Sequence, residues 1–256
     1  MKRILLLLIF IIVIVKISAI ADIISEDFKK ANKFYYEKQY DSALVYYKKI
    51  ENTNIINPYL YYNLGNTYFK LNKIPDAIYY YEKAKKYLPR DKDIIFNLKK
   101  ANLLLPDKIK PMEKTFFIKW IENIKNSLTL KEVFYLFSIT FFLLLVIIIY
   151  NIYAFRTRFF IKIFLPILLG VFLIIEIIWL FERNDFYNNS KTAILYSENS
   201  LETINVKVAP REDDEDAFIV HPGLKIEILN IRNDWYEIKL ENGFTGWVKS
   251  SYCRIL

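Results

Sequence analysis

Asn63-Leu-Gly-Asn-Thr-Tyr68, followed by Ala77-Ile-Tyr-Tyr-Tyr81, Ala84 and Pro89, decides the fold of the N-terminal part of this chain. Small residues at Gly65, Ala77 and Ala84 let two antiparallel helices approach closely, while Tyr61, Leu64, Tyr68 and Tyr81 fill the space between neighbouring pairs. Pro89 cannot continue a helix and ends the second one. A shift of 34 residues finds a weaker copy upstream, with Ala31, Phe34, Tyr40, Ala43 and Tyr47 where Gly65, Tyr68, Ile74, Ala77 and Tyr81 stand. The same shift downstream puts Ile95 and Leu98 in register but Lys99 at the small position, so Lys92 to Leu105 reads as the polar-backed capping helix such arrays need.

The spacing resembles the tetratricopeptide repeat, which implies a protein-binding array with no chemistry of its own. In such arrays the first helices line a concave groove. By register that groove carries Phe28, Asn32, Tyr35, Tyr36, Tyr59, Tyr62, Asn63, Asn66, Phe69, Phe96 and Lys100, an aromatic face short of charge. Asn32, Asn63 and Asn66 stand where chaperone-binding relatives hold a peptide's terminal carboxylate, but Phe28 replaces that clamp's leading lysine. A groove for an apolar strand or helix of another protein is therefore expected. The alternative is that these aromatics pack on the capping helix or on a membrane surface.

A net charge of +8 and 54% hydrophobic content over 256 residues call for a membrane account. Lys2 and Arg3 precede twelve apolar residues, Ile4 to Val15, and Ala19-Ile-Ala21 offers a small-residue cleavage signal, so residues 1–21 read as a signal peptide, either cleaved or retained as an anchor. Residues 22–105 then hold the repeats and cap. Residues 106–132 form a linker in which Phe116, Phe117, Trp120, Ile121, Ile124 and Leu128 recur at helical spacing among Lys119, Lys125 and Lys131, suited to the headgroup layer. Residues 133–155 carry no charge until Arg156, and residues 159–181 end in a 19-residue stretch, Ile163 to Phe181, whose one ionisable residue is Glu176. Each segment can cross a hydrocarbon core about 30 Å thick. Arg156, Arg158 and Lys162 between them should face the cytoplasm, which with an export signal puts both folded parts in the periplasm of a multi-pass inner-membrane protein. Glu176 is a functional candidate by its depth, either pairing with a partner's helix or reaching toward Glu182 and the headgroups.

Residues 190–256 change texture to short alternating runs: Val206-Lys-Val208, Leu224 to Ile228, Trp235 to Leu240 and Phe244 to Val248. Asn242-Gly243 is a type I′ hairpin signal. His221-Pro-Gly223, Asp234-Trp235-Tyr236, Asn242-Gly243 and Gly246-Trp247-Val248 together resemble the bacterial SH3 domain, a small all-β barrel. That resemblance implies binding of cell-wall peptides or proteins through Trp235, Tyr236 and Trp247; Trp235 and Trp247 equally suit the barrel's own core and hairpin. Glu212-Asp-Asp-Glu-Asp216 lacks the glycine and spacing of a calcium loop and reads as a solvated acidic loop.

The expected architecture is a multidomain membrane protein: an all-α repeat domain, two transmembrane helices and a C-terminal all-β barrel. This order resembles the aerotolerance (Bat operon) membrane proteins of the BatE type. The resemblance implies a non-catalytic member of an envelope complex with von Willebrand factor A-domain membrane proteins and, indirectly, a MoxR-type ATPase. Catalysis has little to stand on, since His221 and Cys253 are the only residues of their kinds and five glycines form no phosphate loop. No catalytic residue, metal, cofactor or nucleic-acid partner is expected. A peptidoglycan-binding accessory module is the alternative reading.

Overall fold

The computed structural model describes residues 24–153, 160–189, 191–198 and 202–256. The expected signal peptide, and Arg156 and Arg158 of the basic turn, lie outside the described residues. Among the described residues the first five helices are α1 (24–36), α2 (Tyr40–Glu51), α3 (Pro58–Lys70), α4 (Ile74–Tyr87) and α5 (Lys92–Leu103).

Their ends follow from local chemistry. Asn57 caps α3 by accepting from the Tyr59 and Leu60 amides, with Pro58 pre-set for the first turn, and Asp91 caps α5 on the Asp93 and Ile94 amides. Lys38 and Asn72, 34 residues apart, both take left-handed φ values of 62° and 59° just past α1 and α3. There Gln39 donates its amide to the Phe34 carbonyl and Lys73 to that of Tyr68, closing the two helices in the same way. The degenerate first repeat thus keeps the geometry of the second. Gly65 explains the close approach of α3 and α4: a Cβ there would lie 2.6 Å from the Tyr81 ring. Ala31, Ala43, Ala77 and Ala84 are fully buried at the other small positions.

After α5 the chain runs without regular structure to α6 (Phe116–Ser127), α7 (Leu130–Tyr153) and, beyond a π-turn at Phe160–Phe164, α8 (Leu165–Asn188). By length and composition α7 and α8 are able to cross a membrane. They pack antiparallel, and the folded body sits at the hairpin's open end. Arg90 pairs with Glu132, Lys125 pairs with Glu182, and Tyr187 donates to the Lys86 carbonyl at 2.9 Å. The Lys86 ammonium and the Arg183 guanidinium lie 5.2 and 4.8 Å from the Phe186 ring centre, adding cation–π attraction at this junction.

The C-terminal part is an antiparallel seven-stranded sheet in the order β3-β2-β6-β5-β4-β1-β7. Its strands are β1 (Thr192–Leu195), β2 (Ile204–Lys207), β3 (Asp216–Val220), β4 (Lys225–Arg232), β5 (Trp235–Lys239), β6 (Thr245–Lys249) and β7 (Cys253–Ile255). At Asn242-Gly243 the expected hairpin joins β5 to β6, but its turn is not of type I′. Only Gly243 is left-handed (φ 90°), its amide donates to the Leu240 carbonyl, and Leu240 donates to Phe244, making a three-residue loop with Gly at the left-handed site. The two-residue hairpin is instead Asn233-Asp234, between the paired Arg232 and Trp235, with Asn233 at φ 52°.

The repeats and the barrel share one apolar core. Gly223 takes φ 103°, and a Cβ there would meet Leu105 at 2.6 Å and Ile78 at 3.6 Å, so the barrel's His-Pro-Gly turn sits against the end of the helical array. The linker seals the join. His221 donates its amide to Asp107 at 2.7 Å and lies 3.0 Å from it through the ring, while Met112 donates to the Glu241 carbonyl.

Candidate binding site

The first helices of the array, α1, α3 and α5, line its front. Here the sequence-predicted residues divide. Asn32 accepts from the Tyr47 hydroxyl at 2.6 Å and from Asn63 Nδ2 at 3.3 Å. One repeat on, Asn66 accepts from the Tyr81 hydroxyl at 2.8 Å and from Asn97 Nδ2 at 3.0 Å, and Asn97 also reaches the Tyr62 hydroxyl at 3.1 Å. Burial pushes the Tyr47 and Tyr81 hydroxyls far above their ordinary range, so both remain donors. The asparagines are therefore rungs joining successive repeats: Oδ1 of Asn32 and Asn66 accepts, and Nδ2 of Asn63 and Asn97 donates, within the array.

Phe28 packs edge-on against Tyr47 with ring centres 5.9 Å apart, and Tyr35 sits edge-on to both Tyr36 and Tyr40. Tyr62 and Phe69 are half-buried, the latter beneath the Lys100 ammonium at 5.1 Å. Three aromatics stand clear: Tyr36, Tyr59 and Phe96 are 81%, 62% and 67% exposed. The expectation of a face short of charge needs correction at one end. A pocket of about 230 Å³ there brings Lys70 and Lys100 together with Tyr35, Asn66, Tyr81 and Asn97. Sequence reasoning missed Tyr81, Asn97 and Lys70. The 34-residue period held the signal for the first two, since Asn32, Tyr47 and Asn63 recur as Asn66, Tyr81 and Asn97.

The back of the array, built by α4, is covered. Glu82 pairs with Lys225 of the barrel at 2.7 Å, Asp76 with Arg254 at 2.6 Å, and Lys86 donates to the Leu256 carbonyl at 3.0 Å. Arg254 is clasped between Tyr79 and Tyr196, at 4.9 and 4.0 Å from their ring centres. Burial of Glu82 opposes its ionisation, but Lys225 and Lys85 outweigh it and hold its carboxyl below the ordinary 4.5. Glu51 behaves alike: burial is outweighed by Lys48, the Tyr80 hydroxyl and Lys83. Lys83, lowered first by its own burial, lies 4.3 Å from the Tyr61 ring centre.

On the barrel, Trp235, Tyr236 and Trp247 do not converge. Tyr236 pairs with Val248 on the inner side and packs against the core, so it is removed from the candidate surface. Trp235 and Trp247 lie on the outer side, diagonally across β5 and β6, half-buried among Lys207, Glu237 and Lys249. The core position considered for these tryptophans belongs instead to Ile238 and Val248, both fully buried. Of the acidic run, Glu212 pairs with Lys249, Asp214 with Arg211, and Asp216 with Lys207 at the start of β3. Burial pushes the Cys253 thiol up to about 12, which leaves it protonated and unreactive at neutral pH. Glu176 lies on α8. It is buried between α7 and α8 and accepts from Thr140 at 3.1 Å.

Two family models match the chain, in the two places the geometry marks. Residues 58–91 match the tetratricopeptide repeat, and residues 202–253 match the bacterial SH3 domain. No curated protein matches the chain. The first match covers α3, α4 and their flanks, so the upstream repeat rests on structure: its buried alanines, its helix ends and its Asn32 rung. Both matched families are binding domains without chemistry of their own, suited to protein or peptidoglycan ligands.

Proposed function

We propose that this protein is a non-enzymatic, membrane-anchored scaffold that holds an apolar segment of another envelope protein in the front groove of its repeats. The observation that carries this reading is the contrast in cover. Tyr36, Tyr59 and Phe96 are left exposed on the front, while the barrel occupies the back through Glu82–Lys225 and Asp76–Arg254. Exposed aromatics of low conformational entropy are effective interface anchors.

Membrane residence is supported by the surfaces of α7 and α8, of whose most apolar windows 6% and 11% of residues are buried; in water so much exposed apolar surface would aggregate. With α7 and α8 read as two spans, both folded parts fall on one side, the periplasmic side in this reading, with α6 in the headgroup layer. The order of parts further suggests a Bat-type complex, with A-domain membrane proteins as direct partners, a MoxR-type ATPase as an indirect one, and a role in aerotolerance or envelope stress. The triple variant Tyr36→Ser, Tyr59→Ser, Phe96→Ser tests the reading in detergent extracts of the native envelope. Loss of a co-purifying A-domain membrane protein is expected; full retention by the folded variant rejects the groove.

The outer-face pair Trp235 and Trp247 favours a second reading, peptidoglycan binding by the barrel. Sedimentation of the detergent-solubilised protein with purified peptidoglycan tests it. Pelleting abolished by Trp235→Ala and Trp247→Ala supports it, and a protein that stays in the supernatant removes it.

A further inference from the structure

Near the open end of the hairpin, α7 and α8 diverge around a groove of about 660 Å³. Its walls are Phe134 and Tyr135 on α7 and Ile177, Leu180 and Phe181 on α8; Lys131 and Asn184 lie at the end nearest the folded body. From Asn184 to Ile177 is seven residues, about 10 Å along a helix. The groove is therefore polar at headgroup depth and apolar for the upper half of an acyl chain. Phe134 and Phe181 are 56% and 72% exposed, so it opens sideways to lipid rather than into the protein.

Its charge is the second observation. Of the three nearby carboxylates, Glu132 is engaged by Arg90 and the Thr129 amide, Glu182 by Lys125, and Asp185 accepts from the Asn189 side chain. Lys131 is exposed and, among the described residues, pairs with no acidic group. A cation without a counter-ion at the headgroup layer, above an apolar furrow, matches one ligand chemistry: a phosphate monoanion carrying an acyl chain.

We infer that this groove is a seat for an anionic phospholipid, its phosphate on Lys131 and Asn184 and one chain along Phe134, Ile177, Leu180 and Phe181. The inference rests on the reading that α7 and α8 cross the bilayer. A single basic residue near such a surface favours an anionic lipid about fivefold.

The test uses the full chain in nanodiscs with Trp120→Phe, Trp179→Phe, Trp235→Phe, Trp247→Phe and Phe181→Trp, which puts the only tryptophan in the groove wall. Brominated phosphatidylcholine as the bulk lipid should quench that tryptophan strongly, which reports the spans alone. Trace brominated phosphatidylglycerol in unlabelled phosphatidylcholine should quench with about a fivefold higher relative binding constant than trace brominated phosphatidylcholine, and Lys131→Ala should remove the difference. Equal quenching by the two trace lipids, or a preference unchanged by Lys131→Ala, overturns the seat while leaving the spans in place. No quenching by the bulk lipid overturns both. Native mass spectrometry of the unsubstituted chain gives an independent reading: retained phosphatidylglycerol is expected, and retention of both lipids in proportion to their supply contradicts the seat.

Discussion

The front and back of the helical array are equally rich in tyrosine and end up in opposite states. On the back, Tyr79 and Tyr80 are tied to Arg254 and to the Glu51 carboxylate, and the barrel covers α4. On the front, hydrogen bonds take the asparagines and leave Tyr36, Tyr59 and Phe96 without cover. An aromatic residue at a repeat position is thus no guide to binding by itself. What decides is whether the rest of the chain returns to cover it.

The comparison breaks most completely if the repeats lose their close packing. Gly65→Ala drives a Cβ into the buried Tyr81 ring, whose hydroxyl is held by Asn66, and should cost about 3 kcal/mol. Chemical unfolding of the detergent-solubilised chain measures it. The back alone is addressed by Lys225→Ala, which strands the buried Glu82 carboxylate; because Lys225 is itself partly hydrated, the expected cost is about 2 kcal/mol. The double change Glu82→Gln, Lys225→Met should recover much of it, read by the same unfolding curves.

Acid should loosen the back in the same way. Glu82 has a folded-state pKa held below the ordinary 4.5, so its contribution is complete above about pH 4.5 and is lost as pH falls through the lowered value. Hydrogen exchange along β1 and α4 should rise together in that window, and Glu82→Gln should flatten the response. A smaller effect sharpens the front: Asn97→Ala removes one rung and should cost about 1 kcal/mol, and loosen α5 before α2 in hydrogen exchange. Smallest of all, Tyr36→Ser, Tyr59→Ser and Phe96→Ser should each change stability by about 0.5 kcal/mol or less, since these side chains are exposed, while abolishing partner capture.

Much of this was legible in the residues, and the limits have physical causes. The helix pairs show at Gly65, Ala77 and Ala84 because close packing admits few residue types, and α7 and α8 show because each carries a long apolar run. The rungs were legible too, as Asn and Tyr recurring at 34 residues, but not which atoms they join, because a side chain's partner is not written in its period. Asn242-Gly243 misled because the same dipeptide serves a two-residue turn and, with one more residue, a loop with Gly at the left-handed site. β1 and β7 are four and three residues long, too short to show alternation. Least legible was the docking. Nothing near Glu82 in sequence marks it as a docking residue, and the lysine that pairs with it lies 143 residues away. Such pairings follow from the tertiary fold alone, and with them goes the distinction between covered and open tyrosines.

Site-specific photocrosslinking in intact cells tests that distinction directly, with the crosslinker placed in turn at Tyr59, Phe96, Asp76 and Glu82. Adducts with a second protein from Tyr59 and Phe96, and only intramolecular adducts to the barrel from Asp76 and Glu82, are the predicted result. Intermolecular adducts from Asp76 and Glu82 with none from Tyr59 or Phe96 would contradict the account.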